Sequence, residues 1–379
     1  MKKTLILTFA LVFVAGVSFA QDNRSSIEQE GNAHSATVAQ TGADNASDIS
    51  QSEEGTLIGQ SGDPAATATV TQTGNDNVNS LDQNAYYGNS EATITQIGDD
   101  NYSNLQTQNG GGLATVTMEG DGNELVSWRF RDRRDFGANQ KNYNEFDLNI
   151  LGDDNAVAMT QEYAFGDVDV TGAENEVNLR QLSNANGTTA DFHSANIVIG
   201  GNGSTGDLNT VTVNQASEQG GTGGVNNGAT VKVLRGDANT VEATQFGSDN
   251  RQTVEVDGSA NTYTAAQTGS DNALYLNSRG TGQYFSGAGG VSSNAFSLTQ
   301  DGTGNLVDAG LDGVGNSITI TQDGTGNVVD GPAAGRFDAD GLGIIGDDNS
   351  VTVMQSGSGH AAEQMVMGNN NHISVTQSN

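Results

Sequence analysis

The feature that most constrains this chain is an eleven-residue period in its last third. From Gly236 the sequence divides into thirteen consecutive units of eleven residues, and only Asn379 is left over. Glycine opens all but one of these units, and Asn is usual at the fourth position. A fixed period of this kind is the signature of a repeat architecture, in which each unit is one small structural element.

Each unit predicts one β-strand that follows a Gly-rich turn. In the unit that begins at Gly313, positions four, six, eight and ten are Asn316, Ile318, Ile320 and Gln322. Side chains alternate between the two faces of a strand, so these four residues share one face. The residues between them are Ser and Thr. The pattern therefore predicts a strand with one face of apolar and amide side chains and one polar face.

A longer period is superimposed on the first. Units with Gln at position ten begin at 236, 258, 291, 313, 346 and 368, and they alternate with units that lack it once the units at 280 and 335 are set aside. Those two units are rich in Gly and have little strand pattern, so we interpret them as loops between rungs. The full repeat is then about 22 residues, with two strands and two turns.

The earlier part of the chain follows the same rule less regularly. Gly31 and Gly42 are eleven residues apart, and several strands that end in Gln follow them. Insertions on a repeat scaffold become surface loops. We expect such insertions near residues 124–151, 183–206, 216–228, 280–290 and 331–345.

A single rung is too small to fold alone. Each strand buries about two apolar side chains worth roughly 1.5 to 3 kcal/mol each. Ordering its residues costs about 1 to 2 kcal/mol apiece. Stacked rungs add backbone hydrogen bonds and ladders of like side chains. The predicted fold is therefore all-β, a β-solenoid of stacked two-strand rungs with an amyloid-like cross-β arrangement.

Composition and the N-terminal residues predict an exported protein. Lys2 and Lys3, an apolar run from Leu5 to Val17 and the small residues before Gln21 have the pattern of a signal peptide over residues 1–20. The repeat domain is then 21–379. It has no Cys and a net charge near −34, since 12 Lys and Arg remain against 46 Asp and Glu. Such a charge disfavours nucleic acid as a partner. No later segment is apolar for long enough to be an integral membrane span.

The ends of the predicted solenoid have no obvious cap. The last unit, GNNNHISVTQS, is an ordinary strand unit, and the first rung begins soon after residue 21. An uncapped end is an open strand edge that can pair with another chain. A head-to-tail contact between such ends does not close, so it builds a filament. We expect self-association into a homopolymeric fibre.

The repeat resembles the curlin repeat. The segments ATVAQTGADNASDISQ from Ala36 and ATVTQTGNDNVNSLDQ from Ala68 carry its pattern, in which a strand ends in Gln and a GxxN turn leads into the next strand. The resemblance implies a structural, non-enzymatic subunit that needs no cofactor. It also implies export by an outer-membrane secretion apparatus and assembly, with a nucleator subunit, into secreted cell-surface amyloid fibres called curli, which serve adhesion and biofilm matrix.

The same resemblance implies which residues stabilise the fibre. They are the Gln that ends each strand and the Asn of each turn. In this chain they map onto Gln40, Asn45, Gln72, Asn77, Asn239, Gln245, Asn261, Gln267, Gln300, Asn316, Gln322, Asn327, Asn349, Gln355, Asn371 and Gln377.

A basic segment stands apart from the acidic background. Five of the twelve mature basic residues and the only Trp lie between Trp128 and Lys141. We consider Trp128, Arg129, Arg131, Arg133 and Arg134 a candidate docking patch for a nucleator or an acidic neighbour. The alternative, which we favour, is a hairpin insertion whose arginines pair with the chain's own acids.

Other candidate sites are weak. Acidic turns such as Gly98–Asn101 have several oxygen ligands, but they lack the spacing of known calcium loops, so we interpret them as solvated turns. The four histidines are scattered, and His360 takes the turn position usual for Asn. We find no catalytic or metal-binding constellation. Two alternatives remain: a monomeric solenoid that acts as a surface adhesin or ice-binding protein, and a polysaccharide lyase built on a β-helix.

Overall fold

The structure is a computed structural model of the 379-residue chain. It describes residues 22–30, 34–52, 65–84, 90–108, 112–131, 144–162, 164–182, 193–200, 206–216, 227–234, 236–279, 292–330 and 342–379.

The described residues form two parallel β-sheets and no helix. In sheet 1, the order is β1 (Arg24–Glu30), β3 (Ala46–Ser52), β5 (Val78–Asn84), β7 (Tyr102–Gln108), β9 (Glu124–Arg131), β11 (Ala156–Glu162), β13 (Glu176–Leu182), β15 (Thr210–Ala216), β17 (Thr240–Ser248), β19 (Thr262–Ser270), β21 (Ala295–Thr303), β23 (Ser317–Thr325), β26 (Ser350–Ser358) and β29 (His372–Ser378).

Sheet 2 contains the strands that alternate with these along the chain. They are β2 (Ser35–Thr41), β4 (Ala66–Thr73), β6 (Ser90–Ile97), β8 (Gly112–Glu119), β10 (Asn144–Leu151), β12 (Ala164–Thr171), β14 (His193–Asn196), β16 (Gly228–Val231), β18 (Arg251–Asp257), β20 (Ala273–Arg279), β22 (Leu306–Asp312), β24 (Val328–Asp330), β25 (Leu342–Ile345), β27 (Ala361–Glu363) and β28 (Met365–Met367). The chain therefore winds from one sheet to the other and back, which confirms the predicted β-solenoid.

The pairing register gives the rung length directly. Thr240 of β17 pairs with Thr262 of β19, so one rung spans two eleven-residue units. Thr262 in turn pairs with Ala295, three units later, and the unit at 280 lies in that interval. The step from Ser317 to Ser350 also spans three units and includes the unit at 335. The two-strand repeat of about 22 residues is thus confirmed in this part of the chain.

The core lies between the two sheets, and the predicted faces are confirmed. In β23 and its preceding turn, Asn316, Ile318, Ile320 and Gln322 are buried, whereas Ser317 faces outward. This alternation holds along the described solenoid, so each rung adds a few aliphatic residues and one to four buried amides to one continuous core. The inward residues of the first and last described rungs are more exposed than those inside, because no described rung covers them on one side.

Two kinds of turn connect the sheets. We call the turns from sheet 2 to sheet 1 arc 1, and those from sheet 1 to sheet 2 arc 2. Arc 1 has a four-residue GxxN turn along the described chain, as at 42–45, 98–101 and 368–371. Arc 2 has the same turn only from residue 247 onward. The gaps at 53–64, 85–89, 109–111, 132–143, 183–192 and 217–226 all fall in arc 2, outside the described residues.

Several of the predicted insertion bounds are too wide. The range 124–151 contains strands β9 and β10, which both pair with neighbouring rungs. The range 183–206 contains β14. The range 331–345 contains β25, which continues the level begun by β24, because both pair with β22. Sequence periodicity missed these strands because long insertions shift them out of the eleven-residue frame. The remaining predicted insertion residues, 217–226 and 280–290, lie outside the described residues.

The first glycine of each turn is predicted to be essential for stacking. Gly98 has φ +120°, and a Cβ there would collide with the backbone carbonyl of Gly120 on the next rung. We expect Gly98→Ala to lower the free energy of unfolding by about 3 kcal/mol, since both the backbone and the contact are strained. Gly326 has φ +64° with open space around it, so Gly326→Ala should cost only about 1 kcal/mol. Urea unfolding of freshly desalted protein, followed by circular dichroism, measures both. Equal losses for the two variants would contradict the stacking argument.

Candidate functional site: polar ladders and solenoid ends

A ladder of Asn side chains, buried except at its two ends, runs along arc 1 from one end of the described solenoid to the other. Each member occupies the last position of a GxxN turn or its equivalent. Its members are Asn23, Asn45, Asn77, Asn101, Asn123, Asn155, Asn175, Asn209, Asn239, Asn261, Asn294, Asn316, Asn349 and Asn371.

At the interior positions of this ladder, the side-chain amide has hydrogen-bond partners on the neighbouring rungs. The backbone N–H and Nδ2 of Asn101 donate to Oδ1 of Asn77, at 3.2 and 3.0 Å. Its Nδ2 also donates to the carbonyl of Gly120 at 2.7 Å, and its Oδ1 accepts from Asn123. The side chain is fully buried, so it depends on the rungs on either side for these bonds. The ladder therefore links three rungs through each residue.

A second ladder is formed by Gln side chains in sheet 1. Each Nε2 donates to Oε1 of the Gln on the next rung, at 2.6–2.9 Å. The ladder has two segments, Gln29–Gln51–Gln83 and Gln181–Gln215–Gln245–Gln267–Gln300–Gln322–Gln355–Gln377. By register, Thr107 of β7, Phe130 of β9 and Gln161 of β11 stand at the Gln position between these two segments.

Two shorter ladders complete the set. In sheet 2, Gln40, Gln72 and Gln96 bond in the same way at 2.8 Å. Along arc 2, the Asn ladder consists of Asn227, Asn250, Asn272, Asn305 and Asn327. The sixteen predicted ladder residues all lie in one of these four ladders. What the sequence pattern missed is that Asn327 belongs to a different ladder from Asn316 and Asn349, because it lies on the other arc.

Histidine takes the Asn place at both ends of arc 2. Ring Nε2 of His34 contacts the carbonyl of Glu30 at 3.1 Å, and its Nδ1 accepts the backbone N–H of Ala66 on the next rung at 3.0 Å. His360 contacts the carbonyl of Ser356 through Nε2 at 2.9 Å. A ring nitrogen that meets a carbonyl must carry the proton, so Nδ1 is the acceptor in the neutral ring. His360 thus has the same bonding pattern as His34, with Nδ1 left to accept from a further rung.

The acidic turns are structural. The backbone N–H of Asn75 donates to Oδ1 of Asp99 on the next rung at 2.7 Å, and that of Asp99 donates to Asp121 at 2.7 Å. These carboxylates therefore satisfy turn amides. Among the described residues, no group of three His, Cys, Asp or Glu side chains is placed to hold a metal ion. These bonds support the interpretation of the acidic turns as structural rather than calcium-binding.

An open groove of about 630 Å³ lies at the start of strands β16, β18 and β20, and its lining includes Asp249, Arg251, Asp271 and Tyr275. The two carboxylates are at the third positions of successive arc 2 turns, with φ near +55°. Acidic residues occupy that position in many turns, so their pairing follows from the repeat. The groove therefore does not single out a catalytic pair of the kind that a polysaccharide lyase would need.

The candidate docking patch divides between the described and undescribed chain. Trp128, Arg129 and Arg131 lie in β9, a strand of sheet 1 whose register against β11 shifts near this point. They are therefore part of a rung, not of a hairpin insertion. Arg133 and Arg134 lie outside the described residues. A docking role for this patch stays a prediction.

One buried histidine is electrostatically unusual. His193, at the start of β14, is fully buried, its Nε2 contacts the carbonyl of Leu182 at 3.2 Å, and its Nδ1 has no partner. Burial lowers its pKa from 6.5 to about 4, partly opposed by the contact with Leu182. His193 is thus neutral in the folded protein at neutral pH.

The two ends of the described solenoid expose strand edges. At one end β1 and β2 each pair with a single strand, and at the other β29 pairs only with β26. Ala36, Val38, Ile373 and Val375 in these end rungs are only half-buried but pack against the core. Ile27 of β1 is 46% exposed. Both ends therefore present backbone and apolar groups that interior rungs keep covered.

Comparison with known protein families identifies the repeat. Two segments, residues 20–52 and 346–378, match the model of the curlin-associated repeat. They contain the first three strands and the last four strands of the solenoid. No curated protein matches the chain significantly. The matches confirm the resemblance to curlin repeats.

The Asn ladder leads to a first prediction for this site. Asn101→Ala removes the acceptor for two N–H groups of Asn123 and the donor to Gly120, which stay buried. We expect a loss of about 3 kcal/mol in the free energy of unfolding. Asn104→Ala, on the outward face of the same strand, should change it by less than about 0.5 kcal/mol. Urea unfolding measures both variants. Similar values for the two would show that the ladder bonds contribute little.

His193 leads to a second prediction, on pH. Because its pKa is about 4 when folded and about 6.5 when unfolded, it contributes stability above pH 6.5 that is lost as the pH falls through 4. The free energy of unfolding that this one group loses between pH 6.5 and 4 is about 3 kcal/mol. We expect His193→Gln to reduce the loss of unfolding free energy between pH 6.5 and 4 by this amount. The exposed Ser194→Ala in the same strand changes no titratable group, so it should keep the wild-type pH dependence. A His193→Gln profile parallel to that of the wild type would contradict the assignment.

Proposed function

From the curlin-associated repeats that the chain carries, we propose that it is a secreted structural protein that assembles head to tail into curli-like amyloid fibres. The fibres are proposed to serve cell adhesion and biofilm matrix. The protein performs no catalysis in this proposal. The observation that carries the proposal is the pair of exposed strand edges, one at each end of a continuous hydrogen-bonded ladder system.

The ladders have a direction that a second copy can continue. Each Gln of sheet 1 donates towards the next rung, and at the last rung Nε2 of Gln377 bonds only to the carbonyl of Ala361 in its own rung. In the Asn ladder each residue donates to the previous rung, which leaves Oδ1 of Asn371 as an acceptor at the same end. One end thus presents groups complementary to those at the other, which supports polar, head-to-tail growth.

The energetics favour addition of a copy at these edges. Each newly paired strand of about seven residues adds several backbone hydrogen bonds worth about 1 kcal/mol apiece. Covering the half-buried apolar residues of both end rungs adds to this. Little ordering entropy is lost, because the rungs are already folded in the subunit. The many outward carboxylates limit lateral clumping of the fibres.

Export is supported by the signal-peptide pattern of residues 1–20. The described part of the chain has no helix that could cross a bilayer. An outer-membrane secretion apparatus and a nucleator subunit are further proposed partners, by analogy with curli. The basic segment around Arg129 is the proposed contact for the nucleator, because it contrasts with the acidic remainder of the chain.

Assembly of the purified protein tests the proposal. Residues 21–379 are diluted from denaturant and followed by thioflavin fluorescence, electron microscopy and fibre diffraction. We expect filaments that seed fresh protein and diffract with a meridional spacing near 4.8 Å. A monomer that stays soluble at high concentration would contradict the proposal and favour a monomeric solenoid adhesin.

A variant in the last strand tests whether growth uses the solenoid ends. Val375 is half-buried and faces inward in β29, whereas Ser374 beside it is exposed. We expect Val375→Lys to slow seeded elongation at least tenfold, since it would bury a charge in the joint, roughly 3 kcal/mol or more. Ser374→Lys should elongate at close to the wild-type rate. Equal rates for the two variants would place the growing contact elsewhere.

A further inference from the structure

The two sheets differ in height by one strand. Sheet 1 has 14 strands at 14 levels. Sheet 2 has 15 strands, but β24 and β25 both pair with β22 and share one level. Strands β27 and β28 pair with β24 and β25 and share the next level, so sheet 2 has 13 levels in the described chain. Strand β29 therefore stands half a rung above the end of sheet 2.

This half rung constrains how a second copy can dock. If each sheet continued as itself, β1 of the new copy would pair with β29. Strand β2 follows β1 in the same rung, so it would lie two levels above β27 and β28. No described strand would occupy one position in sheet 2, and two strand edges would stay unpaired there.

We propose that the sheets exchange at each joint: a second copy, turned by about half a turn around the long axis, pairs its β2 with β29 and its β1 with the level of β27 and β28. This inference rests on the proposed function. It continues the winding of the chain without an empty position. Sheet 1 of one copy then runs into sheet 2 of the next.

The repeat makes such an exchange feasible. From residue 247 onward, both halves of most rungs have a GxxN turn followed by a strand with the same inward positions. Near the N-terminal end the two halves are especially alike, since Gln40 of sheet 2 and Gln51 of sheet 1 stand at the same strand position and both form ladders. Strand β2 therefore has the inward pattern of a sheet 1 strand.

The side chains match at the β2–β29 contact. The register follows from counting residues from the last turn residue before each strand, which is His34 for β2 and Asn371 for β29. Ala36 then lies over Ile373, Val38 over Val375, and Gln40 over Gln377. The four aliphatic residues are the half-buried ones of the end rungs. With each sheet continued as itself, Ile27 would lie over Val375 and Gln29 over Gln377, but Ser25 would lie over Ile373. The exchanged arrangement thus covers one more apolar residue of β29 with an apolar residue.

The Gln ladder can continue in either arrangement, through Gln29 if each sheet continues as itself and through Gln40 if the sheets exchange. Within the chain, Gln355 donates to Gln377 and Gln40 donates to Gln72. Gln377 of one copy can therefore donate to Oε1 of Gln40 in the next, with the same polarity on both sides of the joint. The ladder that ends in sheet 1 of one copy resumes in sheet 2 of its neighbour.

The other half of the joint uses His360. Its Nδ1 is left to accept from a further rung, and His34 shows the required contact, because its Nδ1 accepts the N–H of Ala66. In the exchanged register Asn23 takes the place above His360. The inward residues beyond match less well, since Ile27 meets Gln364 and Gln29 meets Val366. The β2–β29 contact therefore carries the specificity of the joint.

Cysteine cross-linking separates the two arrangements, because the chain has no Cys of its own. Ser35 and His372 are neighbours only if the sheets exchange, and Arg24 and His372 only if they do not. All three face outward. Paired strands place such Cα atoms about 4.8 Å apart, within reach of a disulfide. The two ends of one subunit are about 60 Å apart, so a cross-link joins two copies.

Preformed fibres of the double variants S35C/H372C and R24C/H372C are oxidised, dissolved in denaturant and resolved on non-reducing gels. We expect at least tenfold more disulfide-linked dimers and higher species from S35C/H372C. Fibres that cross-link through R24C/H372C instead, or through neither pair, overturn the exchange but leave the proposed function intact. Failure of the wild-type chain to form fibres overturns both.

A second set of variants covers the case in which these substitutions impair assembly. Thr37→Cys with Ser374→Cys tests the exchanged neighbours two residues further along, and Ser26→Cys with Ser374→Cys tests the alternative. These side chains are also exposed in the end rungs. The same tenfold preference for the first pair is expected, and its reversal or absence in assembled fibres overturns the exchange.

Discussion

The structure depends on the need of a buried amide for four hydrogen-bond partners. An Asn side chain that is fully buried at a turn cannot use water, and its own rung supplies too few donors and acceptors. The missing partners are the side-chain amide atoms of the equivalent Asn residues on the rungs above and below. Stacking in register is thus the arrangement that satisfies every member at once, and a slip by one residue would leave each of them unpaired.

This requirement acts unequally on the two arcs. Arc 1 has its Asn ladder from Asn23 to Asn371 and a four-residue turn along the described chain. Arc 2 has such a ladder only from Asn227, and most interruptions of the repeat fall in the part before it. The Asn ladder of arc 1 therefore keeps the register along the described chain. Most of the additional chain lies on arc 2, although the unit at 280 lies on arc 1 between β20 and β21. Insertions on arc 2 are a natural place for contacts with other molecules, because they do not disturb the ladders.

The terminal rungs have the same chemistry as the interior, except that their partners are missing. Ile373 and Val375 face inward like Ile318 and Ile320, yet they are only half-buried. Charged residues at the edge, such as Glu28 and Glu30 of β1, face outward and leave the inward positions free to pair. The features that make each rung a template for the next inside the subunit are thus also present at its ends, which links the fold to fibre growth.

The sequence alone determined the local structure: the strands, their inward faces, the rung of two eleven-residue units and the identity of the Gln and Asn that form ladders. These follow from side-chain alternation and turn chemistry, which act within one unit. Only the tertiary structure decided that the amides divide into four ladders, that β9 and β10 belong to rungs, and that β24 and β25 share a level. Those outcomes depend on which strand lies above which, across a stretch of intervening chain whose length varies from rung to rung. Insertions of variable length change the number of residues between paired strands, while the hydrogen bonds keep the strands in register. A search for a fixed sequence period therefore does not find this pairing.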